Sequence, residues 1–516
     1  MTMLLNDYKS KRSQKEELSS LLATAIGGNS IEGLDLNTKQ KLVEAILVDL
    51  RSEDISKIWD DKVRSQVLEL LKLLGRSPSG CDPLYSLEGM KTLVTAANLA
   101  SGQYTESLSS VEALKCIANS LLLVSATKDY FSESNGLPAC TGILFKSDVS
   151  GMSRFLAVRI LFFVTVDRPS IVTSLVDTYD VASGLAQTLK LAVGEMQNKQ
   201  FTTPSPVSPQ MIITEALKLF FNLALVETSK VDEDNSEEFF QKKFANKFEQ
   251  SISCILTLIR DYPLSPTNTL SSPLLNAIHA LLHVPYTSDW DQDVVAKLTE
   301  ALTLAVPELV GDGPEENVDQ LRERKADDTI APLLLVLRRA AAHDKSSRDY
   351  LAKELLPRES DRIQPVNKGD HISARLVRLM TSTALPHTKD SLCDLFYVLC
   401  DEDATTLSQK VGYGNAIGFL MNRNIPLHPP PAAPSDSSSQ REVNPITGQF
   451  LDEEDHGPSF ADMTDEEKER EAERLFVLFE RLKKTGVVDV ENPIAKAMRE
   501  NHGRVTEIES DEDDEN

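Results

Sequence analysis

The sequence lacks long apolar runs, paired cysteines and glycosylation sites. No apolar run approaches the 18 residues that would indicate a membrane span, so we expect no stable membrane insertion. The six cysteines form no C-x-x-C pair, and no N-x-S/T sequon occurs. No apolar leader precedes the charged segment "KSKRSQKEE". These absences are typical of a protein in a reducing compartment, so we expect the cytoplasm.

An excess of positive charge is also missing. The formal net charge is −25, which disfavours nucleic acid and anionic membrane surfaces as partners. The last 88 residues, from Pro429, carry 24 acidic and 10 basic side chains, and so hold more than half of the imbalance. This asymmetry indicates an acidic C-terminal region with physical properties separate from those of the rest.

Strand patterns are nearly absent, and apolar residues recur at i, i+3, i+4 and i+7 in one segment after another, as in "RSQVLELLKLLG" and "ITEALKLFFNLALVE". Breaks rich in Pro, Gly, Ser and Asp separate these segments. The pattern predicts an all-α fold, an α-solenoid of armadillo or HEAT-like repeats over residues 1–425. Segments 112–119 and 215–222 share E-A-L-K with an Asn seven residues after the Glu, and they lie 103 residues apart, which fits two or three repeats.

The repeated asparagines, Asn119 and Asn222, are candidate binding residues. Asn is a mediocre residue for a helix interior. It could present its amide to a bound peptide or helix in the groove of the solenoid, or it could cap a nearby backbone group. Both interpretations stay open for the two positions. Lys72 and Arg76 are predicted to lie four residues apart on one helix, where they could bind a carboxylate or simply be solvated.

The segment "KVGYGNAIGFLMNRN", residues 410–424, holds three glycines and resembles a phosphate-binding loop. A dinucleotide fingerprint, however, needs a strand before it and a long helix after it, and a P-loop needs a following GK[ST]. Here a helical pattern precedes the glycines, and prolines follow soon after them. We therefore interpret this segment as a tight turn between two helices of the last repeat, with Tyr413 filling it.

Groups for covalent or metal chemistry are not assembled in the sequence. His279 and His283 share one helix face without a nearby third ligand, and Cys81 has no clear histidine partner. No G-x-S-x-G or H-E-x-x-H motif occurs. We expect no catalytic residues, no metal and no cofactor. Basic residues cluster at Arg338, Arg339 and His343, where solvated faces are the simplest interpretation.

Past residue 425 the repeat pattern stops. The composition predicts a flexible Pro/Ser-rich linker at 426–461, a C-terminal arm at 462–505 and an acidic disordered tail at 506–516. Thr464 and Glu467 form a capping box that begins an amphipathic helix at 464–485. Its apolar stripe includes Leu475, Phe476, Phe479 and Leu482. Ser510, followed by acidic residues, would suit an acid-directed kinase or remain unused.

A set of motifs, in order, resembles the synembryn family (resistance to inhibitors of cholinesterase). The motifs are "ISARLVRLMTS", "LFYVLCDED", "GYGNAIGFL", "NPITGQF" and "MTDEEKEREAERLFVLFERL". The resemblance covers nearly the whole chain and is strongest over 372–482. It implies a right-handed superhelix of armadillo and HEAT-like repeats. It also implies a cytosolic chaperone and non-receptor exchange factor for heterotrimeric G protein α subunits.

By the same resemblance, the groove takes the C-terminal helix of the α subunit. Lys72 and Arg76 match basic positions on an inner helix, and Asn119 and Asn222 match asparagines of the inner groove. The arm with Leu475, Phe476, Phe479 and Leu482 matches the segment that reaches toward the subunit's nucleotide-binding face. We expect a monomer. The alternative is a generic armadillo scaffold that binds a peptide without exchange activity.

Overall fold

The computed structural model describes residues 3–28, 31, 33–198, 206–230, 236–286, 290–311, 318–426, 441, 443–444, 446–453 and 464. The first twelve helices are α1 (Met3–Lys11), α2 (Lys15–Gly27), α3 (Leu36–Arg51), α4 (Glu53–Ile58), α5 (Asp61–Leu74), α6 (Leu87–Ala96), α7 (Leu108–Leu123), α8 (Ala126–Glu133), α9 (Gly136–Leu144), α10 (Gly151–Thr165), α11 (Pro169–Asp177) and α12 (Val181–Asn198). The next twelve are α13 (Pro209–Thr228), α14 (Glu237–Lys247), α15 (Glu249–Asp261), α16 (Leu274–Leu281), α17 (Gln292–Val310), α18 (Val318–Glu323), α19 (Ala326–His343), α20 (Lys345–Leu355), α21 (Ile372–Leu379), α22 (Pro386–Leu399), α23 (Ala404–Val411) and α24 (Tyr413–Asn422). Two short 3₁₀ helices span Glu359–Ile363 and Leu451–Glu453.

Twelve of the described helices form two layers. One layer, which we call the ladder, consists of α5, α7, α10, α13, α16, α19 and α22, each packed on the next. The second layer runs through α9, α12, α15, α17 and α20 in the same manner. Within the described ranges the one sheet-like pairing is an isolated bridge between Val443 and Phe450. The predicted all-α solenoid is confirmed.

Local sequence signals set the ends of the ladder helices that carry the candidate site. Asp60 caps α5 by accepting from the backbone N–H of Val63 at 2.9 Å. Ser107 and Ser110 form a reciprocal capping box at the start of α7. Ser208 caps α13, whose first residue is Pro209. These residues satisfy N–H groups that a helix terminus otherwise leaves without a partner.

Acidic side chains also fix one ladder helix against the next. Asp61, in the first turn of α5, accepts hydrogen bonds from the backbone N–H groups of Leu108 and Ser109 at 2.8 and 3.1 Å. Asp327 on α19 does the same for His387 and Thr388 at the start of α22. A carboxylate at a helix N-terminus gains from the helix dipole as well as from the hydrogen bonds. These hydrogen bonds therefore fix the start of α7 relative to α5, and the start of α22 relative to α19.

The glycine-rich segment forms a turn, as predicted. α23 ends at Val411, Gly412 adopts a φ of +80°, and α24 begins at the next residue. The expectation that Tyr413 fills the turn is wrong, because its side chain is exposed. Backbone from later in the chain lies there instead, and a Cβ on Gly412 would stand 2.6 Å from the carbonyl oxygen of Ile446.

Part of the stretch expected to be a linker packs on this turn. The N–H of Gly414 donates to the carbonyl of Ile446 at 3.1 Å. The buried guanidinium of Arg362 donates to the carbonyl of Gly448 at 2.6 Å and to those of Gln409 and Lys410 at 3.0 and 3.1 Å. The "NPITGQF" and "GYGNAIGFL" motifs are thus in direct contact, and the positive φ angles of Gly412 and Gly448 favour glycine at both positions.

None of the helices in the described ranges combines the length and the apolarity that crossing a membrane requires.

Candidate functional site

A cluster of charged side chains joins α5 to α7. The Nζ atom of Lys72 lies 2.8 Å from Oε2 of Glu112 and 3.7 Å from Oε1 of Glu69. Lys115, one turn along α7, donates to the other oxygen of Glu112. Burial raises the pKa of Glu112, but hydrogen bonds from Lys115 and Lys72 outweigh that effect and leave the pKa below its ordinary value. Both oxygens of this carboxylate are therefore engaged.

An equivalent cluster joins α10 to α13, two steps further along the ladder. Oε1 of Glu215 accepts from Lys218 at 3.0 Å and from Arg159 at 3.4 Å. The guanidinium of Arg159 also lies over the rings of Phe155 and Phe163, at 5.5 and 5.1 Å from their centroids. Such contacts between a cation and an aromatic face are attractive. The Glu of each E-A-L-K segment is thus the centre of an ion-pair cluster between ladder helices.

Lys115, Arg159 and Lys218 are functional candidates that the sequence analysis missed. The signal was available for the two lysines, because E-x-x-K places a Lys one turn after each Glu. Arg159 lies inside the apolar segment "SRFLAVRILFFVTV", whose composition indicates a core helix and gives no sign that this arginine faces a neighbouring carboxylate. In the second cluster two cations face one carboxylate, whereas in the first Lys72 also lies 3.7 Å from the carboxylate of Glu69. The partly exposed cations suit a ligand that brings a carboxylate of its own.

The two repeated asparagines differ in their contacts. The amide of Asn222 donates to Thr165 Oγ1 at 2.9 Å and to the carbonyl of Phe162 at 3.4 Å, in the last turn of α10. The Thr165 hydroxyl itself donates to the carbonyl of Phe162 at 2.8 Å, so Asn222 reinforces a hydrogen-bonded group at the end of α10. Asn222 acts as a structural cap, which is the simpler of the two interpretations. Binding through its amide stays untested.

The side-chain amide of Asn119 makes no hydrogen bond within the described residues. At the end of α5, the carbonyls of Leu74 and Gly75 already accept from the Cys81 thiol and the Tyr85 hydroxyl, at 3.3 and 2.5 Å. These carbonyls therefore do not require a hydrogen bond from the half-buried amide of Asn119. The same sequence position thus has a cap in one repeat and an uncommitted amide in the other.

The prediction that Lys72 and Arg76 share a helix is wrong in part. α5 ends at Leu74, and Gly75 caps it, so Arg76 lies in the turn that follows. A glycine inside a helix is destabilising, which favours an end of the helix at Gly75. The Arg76 side chain is exposed and has no partner among the described residues, whereas the Lys72 side chain is only 16% exposed. We call the surface carrying Lys72, Lys115, Asn119, Arg159 and Lys218 the ladder face.

Arg339, one of the other clustered basic residues, is engaged in structural contacts. Arg339 on α19 donates to the carbonyls of Leu281, Leu282 and Val284 at the end of α16. Burial lowers the pKa of Arg339, and the adjacent Arg338 lowers it further. The guanidinium thus replaces missing backbone donors at a helix end.

The two histidines are half-buried. Burial lowers the pKa of both His279 and His283, and the ring of His283 packs edge-on against Phe221 with 5.1 Å between ring centroids. In the part of the chain that the structure describes, no three His, Cys, Asp or Glu side chains are grouped as metal ligands would be.

The predicted contacts of the arm at Leu475, Phe476, Phe479 and Leu482, and the predicted phosphorylation at Ser510, lie outside the described residues.

Comparisons with known proteins identify relatives over most of the chain. The family model described as "Guanine nucleotide exchange factor synembryn" matches residues 67–502. A zebrafish (Danio rerio) protein named Chaperone Ric-8A is 25% identical over 468 residues, covering 82% of this chain and 81% of that protein. A Drosophila pseudoobscura pseudoobscura protein named Chaperone Ric-8 is 32% identical over 182 residues, covering 33% of this chain and 32% of that protein. The crystal structure of an engineered protein is similar with a TM-score of 0.44 and 15% identity, over 82% of this chain and 92% of that one.

Proposed function

Because the chain belongs to the family of the guanine nucleotide exchange factor synembryn, we propose that it is a chaperone and exchange factor for heterotrimeric G protein α subunits. It binds the GDP-bound or nucleotide-free α subunit through the subunit's C-terminal helix, promotes GDP release and permits GTP loading. It works as a monomer in the cytoplasm and is recruited to the cell cortex by its partner.

The ladder face is the observation that carries this proposal. It presents the uncommitted amide of Asn119 together with four cations, which face the three carboxylates of Glu69, Glu112 and Glu215. The C-terminal helix of a partner brings a free carboxylate together with backbone carbonyls that have no partner inside the helix. Lys115 and Lys72 suit the carboxylate, and the Asn119 amide suits a carbonyl. Arg76, exposed at the end of α5, adds a cation at the rim.

The proposed mechanism is linkage and requires no bond-making residue. If the ladder face binds the C-terminal helix only when that helix has left its place in the nucleotide-bound fold, binding lowers the affinity for GDP by the same factor by which GDP lowers binding. GTP reverses the linkage and releases the subunit. The arm residues Leu475, Phe476, Phe479 and Leu482 are proposed to contact the subunit near its nucleotide site.

Binding in the presence and absence of nucleotide tests the proposal. Isothermal titration of the full chain with a purified α subunit should show tighter binding at low GDP and weaker binding when a non-hydrolysable GTP analogue is added. An α subunit without its C-terminal helix should not bind. The same affinity under all nucleotide conditions would favour the alternative, an armadillo scaffold that binds a helical peptide without exchanging nucleotide.

A further inference from the structure

The two glutamates of the E-A-L-K segments differ in the hydrogen bonding of one carboxylate oxygen. In Glu112, Lys115 donates to Oε1 and Lys72 to Oε2. In Glu215, both donors, Lys218 and Arg159, share Oε1. Within the described part of the chain, Oε2 of Glu215 is buried and has no hydrogen-bond partner, and the whole side chain is only 6% exposed. One repeat therefore satisfies its carboxylate, and the other leaves an acceptor open.

The position of Arg159 accounts for the open acceptor. Its guanidinium lies over the rings of Phe155 and Phe163, and it reaches Glu215 only through Nη1 at 3.4 Å. A flexible Lys, like Lys72 in the first cluster, approaches to 2.8 Å and meets the second oxygen. Buried polar atoms are almost always hydrogen-bonded, because an open acceptor in a protein interior is costly. An acceptor left open beside a cavity is therefore a candidate ligand contact.

Such a cavity lies next to Glu215. It has a volume of about 280 Å³ and is lined by Phe155 and Arg159 from α10 and by residues of α13 that include Gln210, Met211 and Glu215. Phe155 and Met211 give it apolar walls. The cavity can therefore hold the apolar part of a small ligand while a polar atom of that ligand reaches the carboxylate of Glu215.

We propose that Glu215 is a ligand-binding residue whose Oε2 accepts a hydrogen bond from an uncharged amide or hydroxyl donor, with the apolar part of that group between Phe155 and Met211. An uncharged donor is favoured because Arg159 and Lys218 already place two positive charges on this carboxylate, and a third would be repelled. In the proposed function, on which this extension rests, the donor is a polar uncharged side chain on the α subunit's C-terminal helix.

Three small probes of nearly one shape test the site without any protein partner. Benzamide is an uncharged donor, benzamidinium is a charged donor, and benzoate has no donor. Saturation-transfer NMR on the full chain at millimolar probe should detect benzamide, with weaker signals for the other two. Glu215→Gln should reduce the benzamide affinity at least 5-fold, because the amide keeps an oxygen for Lys218 and Arg159 but turns a donor toward the cavity. Glu112→Gln, at the satisfied position, should leave benzamide binding unchanged.

A second variant distinguishes the loss of the binding site from misfolding of Glu215→Gln. Met211→Trp changes a partly exposed wall, keeps Glu215 intact and should also block benzamide. The site is refuted if benzamide does not bind, if Glu215→Gln binds it as the wild type does, or if benzamidinium binds more tightly than benzamide. With the α subunit, Glu215→Gln should weaken binding about 10-fold. If the wild-type chain fails to bind any α subunit, the proposed function is wrong, whereas the benzamide result still decides the role of Glu215.

Discussion

The ammonium of Lys72 on α5 lies 2.8 Å from Oε2 of Glu112 on α7, and both side chains are largely buried. This ion pair ties two ladder helices together. It also means that a partner's carboxylate must compete with Glu112 for Lys72, whereas Lys115 is more exposed. The pair therefore contributes to stability and to the charge of the ladder face at the same time.

The first prediction concerns the pH dependence of this pair. Glu112→Gln should lower the free energy of unfolding by about 1–3 kcal/mol at neutral pH, because Lys72 and Lys115 lose a charged acceptor. The pKa of Glu112 is lowered in the folded protein, so its contribution is complete above the unfolded value of about 4.3 and is lost as the pH falls through the folded value. Urea unfolding of both proteins from pH 7 to pH 3 measures this. A difference that persists unchanged at pH 3 would contradict the assignment.

The second prediction separates the two asparagines. Asn222→Ala should lower the free energy of unfolding by about 1 kcal/mol, because the end of α10 loses its cap. Asn119→Ala should change stability by no more than about 0.5 kcal/mol, since its amide has no partner within the described residues. Binding of the α subunit should fall in Asn119→Ala. Equal losses of stability in the two variants would show that both asparagines are structural.

The third prediction concerns the turn between α23 and α24. Gly412→Ala should cost about 1–3 kcal/mol, because φ is +80° and the new Cβ would meet the carbonyl of Ile446 at 2.6 Å. Gly418→Ala is the matched control, because a Cβ there meets nothing within 4 Å and should stabilise α24 by up to about 1 kcal/mol. Thermal unfolding gives both values. Limited proteolysis near residue 446 should become faster only in Gly412→Ala.

The fourth prediction concerns the exposed cation at the end of α5. Arg76→Glu should weaken co-purification with the α subunit while leaving stability within about 0.5 kcal/mol of the wild type, because the side chain is exposed. Lys57→Glu, on the exposed surface of α4, is the charge-matched control and should bind as the wild type does. Equal binding by Arg76→Glu and Lys57→Glu would remove Arg76 from the interface.

The fold could be predicted from the sequence because helical periodicity and capping are local signals. The two E-A-L-K segments likewise indicated the repeats that carry the ladder face. The roles of Asn119 and Asn222 could not be separated, because they depend on whether Tyr85 and Cys81 reach the end of the neighbouring helix.

Contacts between residues that are distant in the sequence could not be predicted from local sequence patterns. Arg159 meets Glu215 across 56 residues, and Gly412 meets Ile446 through backbone atoms, whose positions no local side-chain pattern encodes. A two-residue error in a helix end was enough to misplace Arg76 on α5.

The rate of GDP release from a purified α subunit tests the central claim most directly. A fluorescent GDP analogue bound to the subunit should be released faster when the full chain is added in excess. The acceleration should fall in Asn119→Ala and disappear when the subunit lacks its C-terminal helix. An unchanged release rate with a subunit that binds the chain tightly would contradict the exchange activity and leave only a binding scaffold.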